Sequence, residues 1–229
     1  MNISLRDDAQ ISKVGENIIV DNFYAEPDLV RNAALTKGFL YRVDSVTYPG
    51  AECVLEQFDA REVHSQIVKR YLNPILKRGV TISDKSNSKS SFSQGKVRIA
   101  TARDGLMRPD GVHQDVQEWT GIVYLTPDHL CEGGFDIFRH RHTAAHSEND
   151  PRYIDYIENL TSGMDEEMKF ITVSEHMRDF ENWIKIATLP MKYNRLLIVM
   201  AHCFHATGVC FGDGIETGRL SQHFEFYEE

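Results

Sequence analysis

Polar and apolar side chains alternate most regularly near the end of the chain. Along residues 219–227, the odd positions are polar or amphipathic, whereas the even positions are mostly apolar. Successive side chains of a strand point to opposite faces, so this pattern predicts a strand with one polar and one apolar face. Apolar, β-branched runs bounded by Gly and Pro turns predict further strands at 17–21, 96–102, 121–125, 135–139 and 195–200.

Two helices are predicted in the N-terminal part of the chain. The first begins at Pro27, because a proline at the first helical position loses no hydrogen bond. The second begins at Asp59, which with Glu62 three residues later resembles a capping box. Pro74 is predicted to kink its last turn, and Gly79 to end it. A serine-rich loop and a turn are predicted at 83–94 and 103–105.

Residues 143–190 differ in character from the strand-rich segments on either side. Asp150 is predicted to cap a helix that ends at Leu160, and Ser174 a second helix that carries Trp183. This segment is therefore predicted to be a helical insertion, and it is the best candidate for setting substrate specificity.

Several short strands separated by turns predict a mainly β fold, with a jelly-roll (double-stranded β-helix) core and helices packed outside it. The 229 residues suit a single domain, 1–229. Its predicted parts are N-terminal support (1–95), the jelly-roll core (96–142 and 191–227) and the helical insertion (143–190).

Composition narrows the classes of function. A hydrophobic content of 41% supports a packed core, and a net charge of −9 disfavours nucleic acid as a partner. The 4 cysteines show neither C-x-x-C nor zinc-finger spacing, and no signal peptide or membrane-spanning run is apparent. A cytoplasmic protein that does not bind membranes is therefore expected.

The stretch G-V-H-Q-D offers two candidate metal ligands, His113 and Asp115. On extended backbone, residues two apart point to the same side, so both can reach one ion. A second histidine, His205, would complete a facial set that leaves three positions open, as non-haem Fe(II) oxygenases require. His202 competes with His205 for this role, and H-x-D alone also fits a polar loop. A different metal cluster is conceivable at His140, His142 and His146, although a polar strand face is favoured there.

Five motifs occur in the order H-Q-D, I-V-Y-L, E-G-G-F-D-I-F, N-R-L-L-I-V-M…H and G-R-L-S-Q-H-F-E-F. In this order the sequence resembles the Fe(II)/2-oxoglutarate-dependent oxygenases, particularly a bacterial subgroup of the prolyl-hydroxylase-like branch. The resemblance covers residues 96–227 without the insertion.

The resemblance implies a role for individual residues. His113, Asp115 and His205 would bind iron, and it favours His205 over His202, which is left a surface or supporting position. Arg219 would pair with the distal carboxylate of 2-oxoglutarate, because a guanidinium matches a carboxylate bidentately. Ser221 and Tyr124 would hydrogen-bond the same carboxylate, although Tyr124 also fits an ordinary strand position. Further contacts to cosubstrate, substrate or metal ligands are expected from Arg103, Arg98, His223 and His202.

The implied activity is a dioxygenase that consumes O2 and 2-oxoglutarate, releases succinate and CO2, and hydroxylates an unactivated C–H bond. The resemblance favours hydroxylation, since halogenating relatives replace the carboxylate ligand with a small residue. The expected substrate is an amino acid, free or within a peptide or protein. The alternative is a non-catalytic, zinc or cupin-like domain on the same fold, for which no H-E-x-x-H motif is present.

Overall fold

Eleven strands in two antiparallel sheets dominate the computed structural model, which describes residues 3–41, 49–76, 94–107 and 111–228. In chain order they are β1 (Gln10–Val14), β2 (Asn17–Asp21), β3 (Leu40–Tyr41), β4 (Ala51–Cys53), β5 (Lys96–Ala100), β6 (Trp119–Tyr124), β7 (Gly134–His140), β8 (Trp183–Pro190), β9 (Leu196–Met200), β10 (His205–Ala206) and β11 (Arg219–Phe226). The major sheet has the order β1-β2-β9-β6-β11-β5-β4-β3, and the minor sheet the order β10-β7-β8. The predicted mainly β fold is thus confirmed.

Helices flank the sheets. They are α1 (Pro27–Lys37), α2 (Ala60–Ile67), α3 (Asn73–Ile75), α4 (Ala102–Met107), α5 (Pro151–Leu160) and α6 (Glu166–Arg178). As predicted, α1 begins at Pro27, and the Asp59 side chain accepts a hydrogen bond of 3.1 Å from the Glu62 N–H at the start of α2. A π-helical turn, Val68–Leu72, joins α2 to α3, so the helix is irregular just before the position where Pro74 is predicted to kink it. None of the helices in the described ranges is both long and apolar enough to cross a bilayer.

Three apolar clusters hold these layers together. The largest lies between α1, α2 and the outer face of the major sheet, where Leu220, Phe224 and Phe226 of β11 are fully buried. A second packs between the two sheets and includes Tyr124 and Phe135. The third fixes α5 and α6 to the minor sheet. The polar face of β11 is therefore turned towards the minor sheet, as the alternation predicts.

Three local predictions are wrong. Residues 103–105 lie in α4 rather than in a turn, and the Asp104 carboxylate caps this helix by accepting hydrogen bonds from the Thr101 N–H and hydroxyl, each 2.8 Å long. Ser174 lies inside α6, whose N-cap is Asp165 with a 2.9 Å bond from the Met168 N–H. Trp183 begins β8 instead of ending a helix.

The segment 143–190 is consequently helical only in part. Its helix α5 ends at Leu160 as predicted, and the Asp150 side chain accepts from the Arg152 N–H at its start. Its last eight residues form β8, which pairs with β7 along its whole length and belongs to the minor sheet. The predictions for Gly79 and for residues 83–93 lie outside the described residues.

Candidate metal site and adjoining cavity

His113 and His205 are brought side by side by their own backbones. They form an isolated antiparallel bridge in which each N–H donates to the other's carbonyl over 2.8 Å. His205 also begins β10, which pairs with β7, and the Asp115 N–H donates to the Ala201 carbonyl. These bonds join the loop before β6 to the segment after β9.

Both imidazoles present the same nitrogen to Asp115. The Nδ1 atoms lie 2.9 Å from the Gly111 carbonyl and 2.8 Å from the Cys203 carbonyl. A carbonyl can only accept, so each Nδ1 is the donor and each Nε2 is turned the other way. The two Nε2 atoms lie 3.9 Å and 3.6 Å from the Asp115 carboxylate oxygens. One ligand atom from each of the three residues lies within 4.8 Å of the others, which is close enough to hold one metal ion.

The carboxylate of Asp115 is oriented by neighbouring side chains. Its Oδ2 accepts from the Thr120 hydroxyl at 2.9 Å and from the Gln117 amide at 3.0 Å. Burial alone would raise the pKa of Asp115. Hydrogen bonding and charge interaction with His205, together with His113 and Thr120, outweigh burial and hold this pKa well below its usual range. Asp115 is therefore ionised at neutral pH, as a metal ligand must be.

A cavity of about 340 Å³ opens beside the three residues, between the two sheets. Its floor is the inner face of the major sheet, where β11 contributes Arg219, Ser221, His223 and Glu225 and β5 contributes Arg98. Phe135 of β7 forms the opposite wall and stacks on the His205 imidazole with a centroid distance of 4.7 Å.

Arg219 is only 2% exposed, although it lines the cavity. Its Nη2 donates to the Tyr124 hydroxyl over 3.3 Å, and the guanidinium carbon lies 5.2 Å from the centre of the same ring. Burial, opposed by the charge of Arg219, raises the pKa of Tyr124, which therefore keeps its proton. The cavity is thus lined by the buried guanidinium of Arg219, which in turn contacts the Tyr124 ring and hydroxyl.

Ser221 and His223 form a polar pair on the same strand face. The Ser221 hydroxyl lies 2.9 Å from His223 Nε2, and Ser221 is paired across the sheet with Tyr124 on one side and Arg98 on the other. Burial, reinforced by the charges of Arg98 and Arg219, holds the pKa of His223 well below its ordinary value. His223 is therefore a neutral hydrogen-bonding group.

Three of the predicted site residues do not line this cavity. Tyr124 is fully buried and contacts it only through Arg219. Arg103 is exposed on α4. His202 is partly buried but does not line the cavity, and its Nδ1 has no hydrogen-bond partner among the described residues. The predicted polar strand face at His140, His142 and His146 is wrong. β7 ends at His140, which is fully buried against His176 and Trp183, and the exposed His142 and His146 lie after the end of the strand.

Sequence reasoning missed the residues that surround the carboxylate. Gln117 and Thr120 follow Asp115 closely, and their side chains also bond each other over 2.6 Å. Only the polarity of two residues just before and at the start of an apolar strand could have drawn attention to them. Phe135 had no such signal, because its contact with His205 depends on the pairing of β7 with β10.

One protein-family model matches nearly the whole length of the fold. A family model described as a family of unknown function, DUF6445, matches residues 6–225. No curated protein matches the sequence significantly. Because the family match spans nearly all of the two sheets and the cavity between them, the chain belongs to the DUF6445 family.

Proposed function

We propose that this protein is an Fe(II)- and 2-oxoglutarate-dependent dioxygenase with a jelly-roll core, which hydroxylates a C–H bond of an amino acid, peptide or protein-bound residue. The observation that carries the proposal is the convergence of His113, Asp115 and His205 on one side of a cavity that a buried arginine also lines.

The three side chains fit a divalent iron ion by their chemistry. Two neutral imidazoles and one carboxylate on one side of an ion form the facial set used by non-haem Fe(II) oxygenases. Both imidazoles are oriented by bonds from Nδ1 to backbone carbonyls, and Asp115 is oriented by Thr120 and Gln117. Such supporting bonds fix ligand orientation and raise metal affinity.

The cavity also fits 2-oxoglutarate. Arg219 offers a fork of donors that matches a carboxylate, and its burial strengthens such a pair by excluding water. The Tyr124 hydroxyl, adjacent to Arg219, can donate to the same carboxylate, and Ser221 is the residue paired with Tyr124 across the sheet. A cosubstrate held there would extend towards the three metal-binding side chains.

When bound, iron and 2-oxoglutarate supply the oxidation: one oxygen atom of O2 enters the substrate, the other enters succinate, and CO2 leaves. The chain contributes orientation and exclusion of water. Phe135 and Ile122 give the cavity apolar walls, and Phe135 keeps the His205 ring in place. Asp115 supplies the carboxylate whose absence would open a halide position, so hydroxylation is the expected outcome.

An anaerobic titration with Fe(II) and 2-oxoglutarate tests this proposal. The wild type should develop a visible charge-transfer band, because 2-oxoglutarate chelates the iron. His113→Ala and Asp115→Ala should abolish the band, whereas the exposed Arg103→Ala serves as a control and should retain it. A wild type without the band refutes the proposal. Tight Zn(II) binding in its place would favour a zinc domain on the same fold.

Arg219→Ala tests the cosubstrate contact separately. Removing a bidentate charged hydrogen bond should raise the 2-oxoglutarate concentration for half-saturation by about ten- to a hundredfold. Arg219→Lys should recover only part of this loss, because an ammonium group cannot form the fork. An unchanged concentration for half-saturation in Arg219→Ala contradicts the assigned role.

A further inference from the structure

We propose, building on the function inferred above, that Thr126 and Arg31 are positioning residues that fix Arg219 at one depth in the cavity. By fixing it they select 2-oxoglutarate over 2-oxoadipate, the 2-oxo dicarboxylate that is longer by one methylene. The juxtaposition that supports this is a buried hydroxyl that bonds the two peptide groups on either side of Arg219.

The hydroxyl belongs to Thr126, which follows β6 and is fully buried. It donates to the Gly218 carbonyl over 2.9 Å and accepts from the Leu220 N–H over 2.8 Å. A threonine hydroxyl has one proton to donate and lone pairs that accept, so both bonds can form at once. The backbone is therefore held immediately before and immediately after Arg219.

These bonds replace part of the sheet. The register of β6 with β11 ends at the pair Tyr124 and Ser221. The Leu125 N–H still donates to the Leu220 carbonyl over 2.9 Å, and in a regular antiparallel pair the Leu220 N–H would donate back. It donates to the Thr126 hydroxyl instead. The side chain of Thr126 thus determines how β11 begins.

Arg31 of α1 binds the carbonyl that this exchange leaves over. Its Nη1 donates to the Leu125 carbonyl over 3.0 Å, and its Nη2 donates to the Glu216 carbonyl over 2.8 Å. Arg31 is only 9% exposed, so these bonds are largely shielded from water. One guanidinium therefore joins the end of β6 to the segment that leads into Arg219.

The same stretch of chain supports the metal end of the cavity. The Thr120 hydroxyl of β6 donates to the Asp115 carboxylate over 2.9 Å. One continuous segment, residues 120–126, therefore connects the carboxylate ligand with Arg219 and determines how far apart they lie.

A fixed separation makes the cavity sensitive to the length of the cosubstrate. 2-Oxoglutarate would bridge the metal-binding side chains and Arg219, with its 2-oxo acid at one end and its distal carboxylate at the other. A guanidinium fork holds a carboxylate through two parallel bonds, which a longer ligand can form only if the arginine moves. An arginine on a clamped backbone yields less than one on a loose backbone. Thr126 should therefore affect selectivity among 2-oxo acids rather than metal binding.

The test follows the charge-transfer band of anaerobic protein loaded with Fe(II), during titration with 2-oxoglutarate or 2-oxoadipate. The wild type should be half-saturated by 2-oxoglutarate at a concentration at least about tenfold below that of 2-oxoadipate. Thr126→Val keeps the shape of the side chain but removes the hydroxyl. It should raise the 2-oxoglutarate concentration for half-saturation by about three- to tenfold and leave that of 2-oxoadipate nearly unchanged, so the preference shrinks by the same factor. Thr126→Ser restores the hydroxyl and should restore the preference.

Arg31→Lys is an independent variant. A single ammonium group cannot hold two carbonyls in the geometry of a guanidinium, so the preference for 2-oxoglutarate should fall in the same direction. This variant keeps the test decisive if Thr126→Val does not fold. An Arg31→Lys protein with the wild-type preference would then overturn the proposal.

Two other threonines serve as matched controls. The buried Thr161 hydroxyl donates to the Ile157 carbonyl over 2.8 Å at the end of α5, so Thr161→Val should lower the unfolding temperature without changing either half-saturation. Thr120→Val should weaken Mn(II) binding measured by calorimetry, because it removes a bond to Asp115. Thr126→Val should leave the Mn(II) affinity unchanged.

The outcomes separate this inference from the proposed function. If Thr126→Val keeps the wild-type preference, or if Thr161→Val reduces it equally, the positioning role is wrong and the oxygenase assignment stands. A wild type that binds both 2-oxo acids equally well likewise overturns the selectivity assigned to Thr126 and Arg31. Absence of the band in the wild type overturns both proposals.

Discussion

Two groups of histidines in this protein have opposite surroundings. The open pair, His113 and His205, lies beside a carboxylate at a cavity, and both rings are oriented by backbone carbonyls. The enclosed group, His140, His142 and His176, contains no carboxylate and packs against aromatic residues of α5 and β8. In the described part of the chain, the ligand atoms of these three rings do not come close enough together to hold one metal ion.

The two groups differ in the features that would let a histidine bind a metal. The enclosed group has more histidines than the open pair. However, it contains no carboxylate, and the Nε2 atoms of His140 and His176 have no hydrogen-bond partner among the described residues. Burial lowers the pKa of His140 to about 4, with further lowering from His176 and His142. A nearby carboxylate, an oriented ring and an adjoining open space are what would let His113 and His205 bind a metal, whereas His140 and His176 are core residues.

The largest predicted difference concerns metal affinity. His205→Ala should weaken Fe(II) or Mn(II) binding by at least about a hundredfold, because a direct ligand matters more than its supporting bonds. His140→Phe should leave the affinity unchanged, and His142→Ala provides a second control at an exposed ring. Anaerobic calorimetry measures all three. Equal losses in His140→Phe and His205→Ala would show that the two groups do not differ in this way.

For the free energy of unfolding, the order of the two groups should be reversed: a substitution in the core around the enclosed group should cost more than one in the open pair. Trp183→Ala removes the fully enclosed indole beside His140 and should lower the free energy of unfolding by about 3–5 kcal/mol. His113→Ala, which removes a partly exposed ring at the cavity, should cost about 1 kcal/mol or less. Urea unfolding of metal-free protein measures both changes. A larger loss in His113→Ala would reverse the comparison.

Lowering the pH should destabilise the folded protein through the enclosed group, chiefly through His140. In the unfolded chain a histidine binds its proton near pH 6.5, whereas the folded pKa of His140 is about 4. Between these values the unfolded state binds more protons, so the free energy of unfolding falls as the pH is lowered from 6.5 towards 4. Below that range this contribution is constant. The pKa of His176 is lowered in the same direction by burial.

His140→Phe separates this contribution from the carboxylates that also titrate in acid. The variant should lose less stability than the wild type between pH 7 and pH 5, in unfolding experiments on metal-free protein. Parallel losses in the two proteins would mean that His140 does not contribute.

The smallest effect is expected at the edge of the enclosed group. His142 is exposed and stacks on Tyr156 with a centroid distance of 5.7 Å and an interplanar angle of 6°. His142→Ala should reduce the free energy of unfolding by about 1 kcal/mol or less, because an exposed aromatic pair contributes little beyond its buried area. A reduction as large as that of Trp183→Ala would place His142 within the core.

Local rules predicted the part of the fold that depends on periodicity and caps. The alternating faces of β11, the start of α1 at Pro27 and the caps at Asp59 and Asp150 agree with the structure. Ser174 was misleading because a half-buried serine inside a helix has the same side chain as a cap. The helix actually starts at Asp165, with two glutamates in its first turn.

Long-range pairing decided what the sequence could not show. Spacing places His113 and Asp115 on one side of the chain, and the resemblance favours His205 over His202, but the physical reason is the bridge between residues 113 and 205, which puts His205 beside them. The sequence could not predict the enclosed group either, because the contact between His140 and His176 depends on the packing of α6 against the minor sheet. Likewise, the shared cavity wall of Arg98 and Glu225 depends on the register of β5 and β11.

The two backbone hydrogen bonds between His113 and His205 also bear on how the chain folds. They close a loop that contains β6, β7, α5, α6, β8 and β9, so forming them costs the closure entropy of that whole segment. An ion that binds this pair selects the folded chain and stabilises it by mass action. The stability of the folded chain would then depend on the concentration of that ion as well as on the contacts within the protein.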